Sequence, residues 1–93
     1  MARLVARIKI LPADVNVNLE VLVNALGSVV PPEMELKSSM KEPIAFGLEA
    51  VIAEFTLEDN EGQMDLLEES IKKVHGVGQI DVINVSRQSV RIG

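Results

Sequence analysis

Cysteine, tryptophan and tyrosine are absent from this 93-residue sequence, and phenylalanine occurs only at Phe46 and Phe55. Without cysteine the chain can build neither a disulfide framework nor a Cys-based zinc site, which fits a reducing compartment. Two aromatics cannot supply the stacked platform on which single-stranded nucleic acids are held. Cations are scarce too. Nine Lys and Arg stand against fourteen Asp and Glu, for a net charge of −5, whereas a phosphate-backbone binder needs a basic stripe. No segment approaches the roughly 18 consecutive apolar residues of a membrane span. The opening residues, Met1 to Ile10, alternate charged and apolar side chains and lack the continuous apolar stretch of a signal peptide. Neither direct nucleic-acid binding nor membrane insertion is expected, and the expected location is the cytoplasm.

What is present suffices for one core. The length fits a single domain over residues 1–93, and 47% hydrophobic residues can form a core without covalent staples. From Arg3 to Leu11 the pattern has period two: Leu4, Ala6, Ile8 and Ile10 fall on one side and Val5, Arg7 and Lys9 on the other. That is a strand with one buried face, closed by Pro12. From Leu19 the period lengthens. Leu19, Leu22, Val23, Leu26 and Val30 form the stripe of a helix capped by Asn16 or Asn18 and stopped by Pro31-Pro32. Glu33 to Met40 alternates again, with Met34, Leu36, Ser38 and Met40 assigned to one face and Glu33, Glu35, Lys37 and Ser39 to the other.

Lys41 to Gly47 then reads as a connection. In the strand that follows, Val51, Ala53, Phe55 and Leu57 point inward, and Glu49, Ala50, Ile52, Glu54 and Thr56 are flanking or outward. Asp59-Asn60-Glu61-Gly62 is a turn. Gln63 to His75 is a second helix with Met64, Leu67, Ile71 and Val74 as its stripe, ended by Gly76 and Gly78. A last strand runs from about Gln79 to Val85 or beyond, and its tail, Ser86 to Gly93, is polar and basic. The order β-α-β-β-α-β predicts an α+β, ferredoxin-like sandwich: one four-stranded antiparallel sheet with both helices on one face.

Groups for catalysis are few. The one histidine, His75, stands at the end of the second helix, where imidazole usually serves the helix dipole. Neither phosphate-binding glycine motif is present, and Gly76-Val77-Gly78 precedes a strand instead of opening a helix. No catalytic residue, metal or cofactor is assigned. The acids from Glu58 to Glu69 read as a solvated loop and helix start. Two features fit the structural account less well. Phe46 lies in the connection Pro43-Ile44-Ala45-Phe46-Gly47, either tucked under the sheet edge, as residue preferences favour, or exposed as an interface anchor. The tail carries Arg87 and Arg91, a frayed basic end or a cation for an anionic site on a partner.

The string Glu42-Pro43-Ile44-Ala45-Phe46-Gly47-Leu48, followed by a strand and Glu58-Asp59, resembles the elongation factor 1-beta family, especially its short archaeal form. The strand ending Ile10-Leu11-Pro12, the helix closed by Pro31-Pro32, the run Leu66 to Ile71, and the stretch from Gly76-Val77 to Val85-Ser86-Arg87 carry the likeness over essentially the whole chain. The resemblance implies a guanine-nucleotide exchange factor that promotes GDP release from the GTPase elongation factor 1-alpha, and no enzyme. It also implies a loop aromatic that docks on the partner's nucleotide-binding domain: Phe46, held by Pro43 and Gly47, with Ile44 also assigned to partner binding. A basic residue at the end of the last strand would face the partner's magnesium and phosphates. Counted from Val77 without a gap, that position is Arg87; counted from the terminus, it is Arg91. A small-molecule-binding regulatory domain of the same fold, using a helix–strand edge pocket, is the alternative, and an RNA-binding domain a third. The exchange reading needs Phe46 and Arg87 exposed together on one side of the sheet end; a buried Phe46, or a tail pinned far from it, would defeat this assignment of one shared site.

Overall fold

The computed structural model describes residues 3–88. Its elements follow the predicted order: β1 (Arg3–Pro12), α1 (Leu19–Val29), β2 (Glu35–Pro43), β3 (Glu49–Glu58), α2 (Gln63–Lys72) and β4 (Val77–Gln88). The four strands form one antiparallel sheet in the order β2-β3-β1-β4, the ferredoxin-like arrangement. Ala6, Ile8 and Ile10 of β1 and Val51, Ala53, Phe55 and Leu57 of β3 are buried against Leu22 and Leu26 of α1 and Leu67 and Ile71 of α2. The period-two and period-3.6 stripes read from the sequence thus meet in one core. Asn18 caps α1, its side-chain oxygen accepting from the N–H groups of Glu20 and Val21.

Three expectations are corrected. The first concerns β2. The pairing with β3 slips between Leu36 and Ser38, so Lys37 is an extra residue. A bulge reverses the side-chain alternation beyond it. Leu36 pairs with Phe55 on the core side, whereas Ser38 pairs with Glu54 and Met40 with Ile52 on the outer side, and Ser39 moves to the core side. The strand also continues to Pro43, which shortens the connection to residues 44–48.

The second correction concerns the outer face of β3. Ala50 and Ile52, read as flanking or outward, do lie on this face, yet they are 0% and 7% exposed. Lys9 and Glu42, on the strands flanking β3, form an ion pair of 3.7 Å across this face, and Met40 stands beside Ile52. Further along, Arg7 donates from Nε and Nη2 to Glu54 Oε2 at 3.2 and 2.8 Å, while the Ser38 hydroxyl donates to Oε1 at 3.0 Å. These bonds hold the Glu54 carboxyl below its ordinary value of 4.5, the Arg7 hydrogen bond first and Ser38 second.

The third correction concerns the chain's later part. α2 stops at Lys72, so His75 is not in its last turn but in the exposed turn beyond, and β4 begins at Val77 and continues past Val85 to Gln88. That turn is tight. The Ala13 N–H donates to the Gly76 carbonyl at 2.7 Å, and a Cβ at Gly78 would lie 2.9 Å from both the Pro12 oxygen and the Ala13 Cα. Gly78 is required by this close approach of two backbones.

Candidate partner-binding site

The β2–β3 hairpin turns within Ile44 to Leu48. The Leu48 N–H donates to the Ala45 carbonyl at 2.8 Å and the Ile44 N–H to the Leu48 carbonyl at 2.9 Å. Between them Phe46 and Gly47 have φ of 53° and 78°. Positive φ at both central residues is the requirement of a type I′ turn, the connection that matches strand twist and favours Asn-Gly or Gly-Gly. Gly47 meets the requirement freely. Phe46 does not, because an L-residue in this region costs roughly 1–2 kcal/mol. Nothing offsets that cost within the chain: Phe46 is 97% exposed. The preference of phenylalanine for burial therefore misleads here. A strained backbone carrying an unpacked aromatic is the combination expected of a residue kept for a contact outside the chain.

Ile44 is partly exposed beside Phe46, and Val15, largely exposed in the loop between β1 and α1, lines a small depression with Gly47 and Leu48 whose rim also carries Asp14 and Glu49. A shallow depression of about 410 Å³, lined by Leu11, Pro12, Ile44, Leu48, Gly78 and Gln79, opens at the same end of the sheet. Pro43 is the last residue of β2 and pairs with Glu49, so it closes the ladder and aims the hairpin tip. The sequence pointed to Pro43, Ile44, Phe46 and Gly47, and the fold brings them together in this turn. Val15 was missed; a lone valine among Ala13, Asp14 and Asn16 gives no sequence signal.

Arg87 is elsewhere. It pairs with Leu4, which pairs on its other side with Leu57 near the end of β3. The hairpin tip lies at the start of β3, beside Glu49. From there to the level of Arg87 is on the order of 25 Å at about 3.3 Å per residue. The expectation that Phe46 and Arg87 share one end of the sheet is therefore wrong. In an antiparallel sheet of order β2-β3-β1-β4, the β2–β3 tip and the end of β4 must fall at opposite ends. Arg87 is exposed, and its Nη2 lies 2.6 Å from Asp59 Oδ2 in the turn after β3. Arg91, the other basic candidate, lies outside the described residues.

The pattern of residues across this frame matches a known one. The EF-1 guanine nucleotide exchange domain matches residues 5–87, a span that includes both the hairpin and Arg87. The chain belongs to the elongation factor 1-beta family. Among its relatives, the elongation factor 1-beta of Staphylothermus marinus is 39% identical over 88 residues, covering 94% of this chain and 98% of that protein. The proteins of the same name from Methanobrevibacter smithii and Desulfurococcus amylolyticus are 37% and 39% identical, covering 94% and 96% of this chain and 98% and 100% of theirs.

As a member of the elongation factor 1-beta family, the chain belongs to the nucleotide-exchange machinery of translation elongation, which implies a GTPase partner. Among the described residues no group of three or more His, Asp and Glu side chains is arranged to hold a metal ion. No described helix is long and apolar enough to cross a membrane. A groove between α1 and β2 is lined by Leu19, Val23, Asn24, Ser39, Met40 and Lys41 among others.

Proposed function

We propose that this chain promotes release of GDP from elongation factor 1-alpha in the cytoplasm, using two separate contacts. The observation that carries the reading is the strained, exposed Phe46 at the hairpin tip. Phe46 anchors the partner, with Ile44 beside it and Pro43 and Gly47 fixing the turn. Arg87, at the far end of the sheet, supplies a cation to the partner's magnesium and phosphate region.

The physical logic needs no bond-making by this chain. A guanidinium entering a site that holds a divalent cation competes electrostatically with the ion, and loss of the ion weakens the hold on phosphate. A guanidinium is always charged and presents several donors to oxygen, so it suits an anionic pocket. By linkage, a protein that lowers its partner's affinity for GDP is itself held less tightly when GDP is bound. The factor leaves as nucleotide returns, and one copy serves many partners.

The test is the release of a fluorescent GDP analogue from elongation factor 1-alpha with and without this chain. Acceleration that saturates with concentration is the expected result. No acceleration at saturating concentration would sink the proposal.

A further inference from the structure

We infer that Asp59 is a positioning residue that holds Arg87 in the free protein and must release it when the partner docks. The inference rests on the reading of Arg87 as the cation delivered to the partner. Asp59 follows the last residue of β3, and Arg87 is near the end of β4. These strands flank β1 and do not touch each other in the sheet. Two strand spacings separate them, roughly 9–10 Å. The Arg87 side chain therefore has to reach across the end of β1, where its register partner is Leu4, to bring Nη2 within 2.6 Å of Asp59 Oδ2.

The contact fixes a long side chain that strand packing leaves free. Arg87 is 67% exposed, while the Asp59 side chain is 32% exposed and sits on the short turn that also bonds the Asn60 N–H to the Glu58 carbonyl at 2.9 Å. A cation tethered to its own chain is not available to an anionic pocket, because the same donors serve both. Docking exchanges the Asp59 carboxylate for the partner's anionic groups. Asp59 thus keeps the guanidinium ordered at the sheet's end and weakens the complex by the strength of the ion pair. For an exposed pair that strength is small, equivalent to about a two- to fivefold change in affinity, and it is lost at high salt.

The test measures the concentration of this chain that gives half-maximal release of the GDP analogue, for wild type, Asp59→Asn, Asp59→Glu, Arg87→Ala and the Asp59→Asn/Arg87→Ala pair, in low and high salt. Thermal melts of each free variant confirm folding. Asp59→Asn is expected to lower the half-maximal concentration about two- to fivefold in low salt, with no gain in high salt. Asp59→Glu keeps the carboxylate and stays near wild type. In the Arg87→Ala background, Asp59→Asn changes nothing, since the two residues act as a unit. An equal gain in that background means that Asp59 merely repels the partner, and overturns the inference. So does an unchanged or raised half-maximal concentration for Asp59→Asn when Arg87→Ala itself slows release. If Arg87→Ala has no effect, the reading of Arg87 fails and the role of Asp59 fails with it.

Discussion

Phe46 and Gly47 stand side by side with positive φ at the tip of the β2–β3 hairpin, and only the glycine is suited to the conformation. The phenylalanine is kept there against its own backbone preference and without contacts to repay it. If Phe46 docks as proposed, local stability and partner binding are opposed at this single residue.

Phe46→Asn separates the two. Asn tolerates left-handed φ, and Asn-Gly is a preferred central pair of a type I′ turn. The variant should be more stable than wild type by about 1 kcal/mol, a rise in Tm of roughly 4–8 °C for a domain of this size. Its docking to elongation factor 1-alpha should weaken. A melt and a binding titration on the same sample check both halves, and a lower Tm would show that the turn is not strained.

The two contacts should also differ in their response to salt. Arg87→Ala is expected to slow GDP release by about tenfold or more, the scale of a lost hydrogen bond to a charged group, and to flatten the dependence of exchange on ionic strength. Phe46→Ala should weaken docking while leaving that dependence as it is in wild type, because an aromatic anchor is not screened. Release rates measured across a salt series distinguish the two, and identical salt profiles would argue against two chemically distinct contacts.

Glu54 makes stability depend on pH. Its folded carboxyl is held below the ordinary value of 4.5 by Arg7 and Ser38, so the folded state favours the ionised form more than the unfolded chain does. The resulting stabilisation is fully present above the unfolded value and is lost as pH falls through the folded one. Urea midpoints between pH 6 and pH 3 should therefore decline less steeply for Glu54→Gln than for wild type. A parallel decline in both would place the acid sensitivity elsewhere.

Gly78→Ala tests the seam between β1 and β4. The added methyl would meet the Pro12 oxygen and the Ala13 Cα at 2.9 Å, and both are backbone atoms that cannot swing aside. A loss of about 1–3 kcal/mol is expected, in line with other overpacked sites. Denaturant unfolding gives the value, and a neutral effect would mean that the seam can open without loss.

The sequence made β1, the core-facing side of β3 and both helix stripes legible because apolar residues recur there at a fixed period. It did not make β2 legible. Nothing in Glu35-Leu36-Lys37-Ser38-Ser39-Met40 marks Lys37 as the extra residue, yet that single slip moves Met40 from the core side to the outer side. The sequence leaves the end of β4 open, because Ser86, Arg87 and Gln88 carry no apolar side chain. In β4 they need only the backbone of β1 to pair with. The residues of the hairpin could be picked out in advance, whereas the exposure of Phe46 ran against its apolar character. The separation of Phe46 from Arg87 was implicit in the antiparallel order, since a β2–β3 tip and the end of β4 cannot coincide.

That separation has a geometric consequence. The unbroken run of β3 from Glu49 to Glu58 lies at the middle of the sheet, bonded on both sides, and contains no hinge. It behaves as a ruler whose length is set by residue count. A pair of residues added to the strand would lengthen it by about 6–7 Å, whereas added loop residues would leave the span intact. Under the proposed two-contact docking, a GTPase measured by this ruler would have to offer an apolar and an anionic pocket at one fixed spacing. A change of domain arrangement that alters the spacing would then suffice to eject the factor with both pockets chemically unchanged.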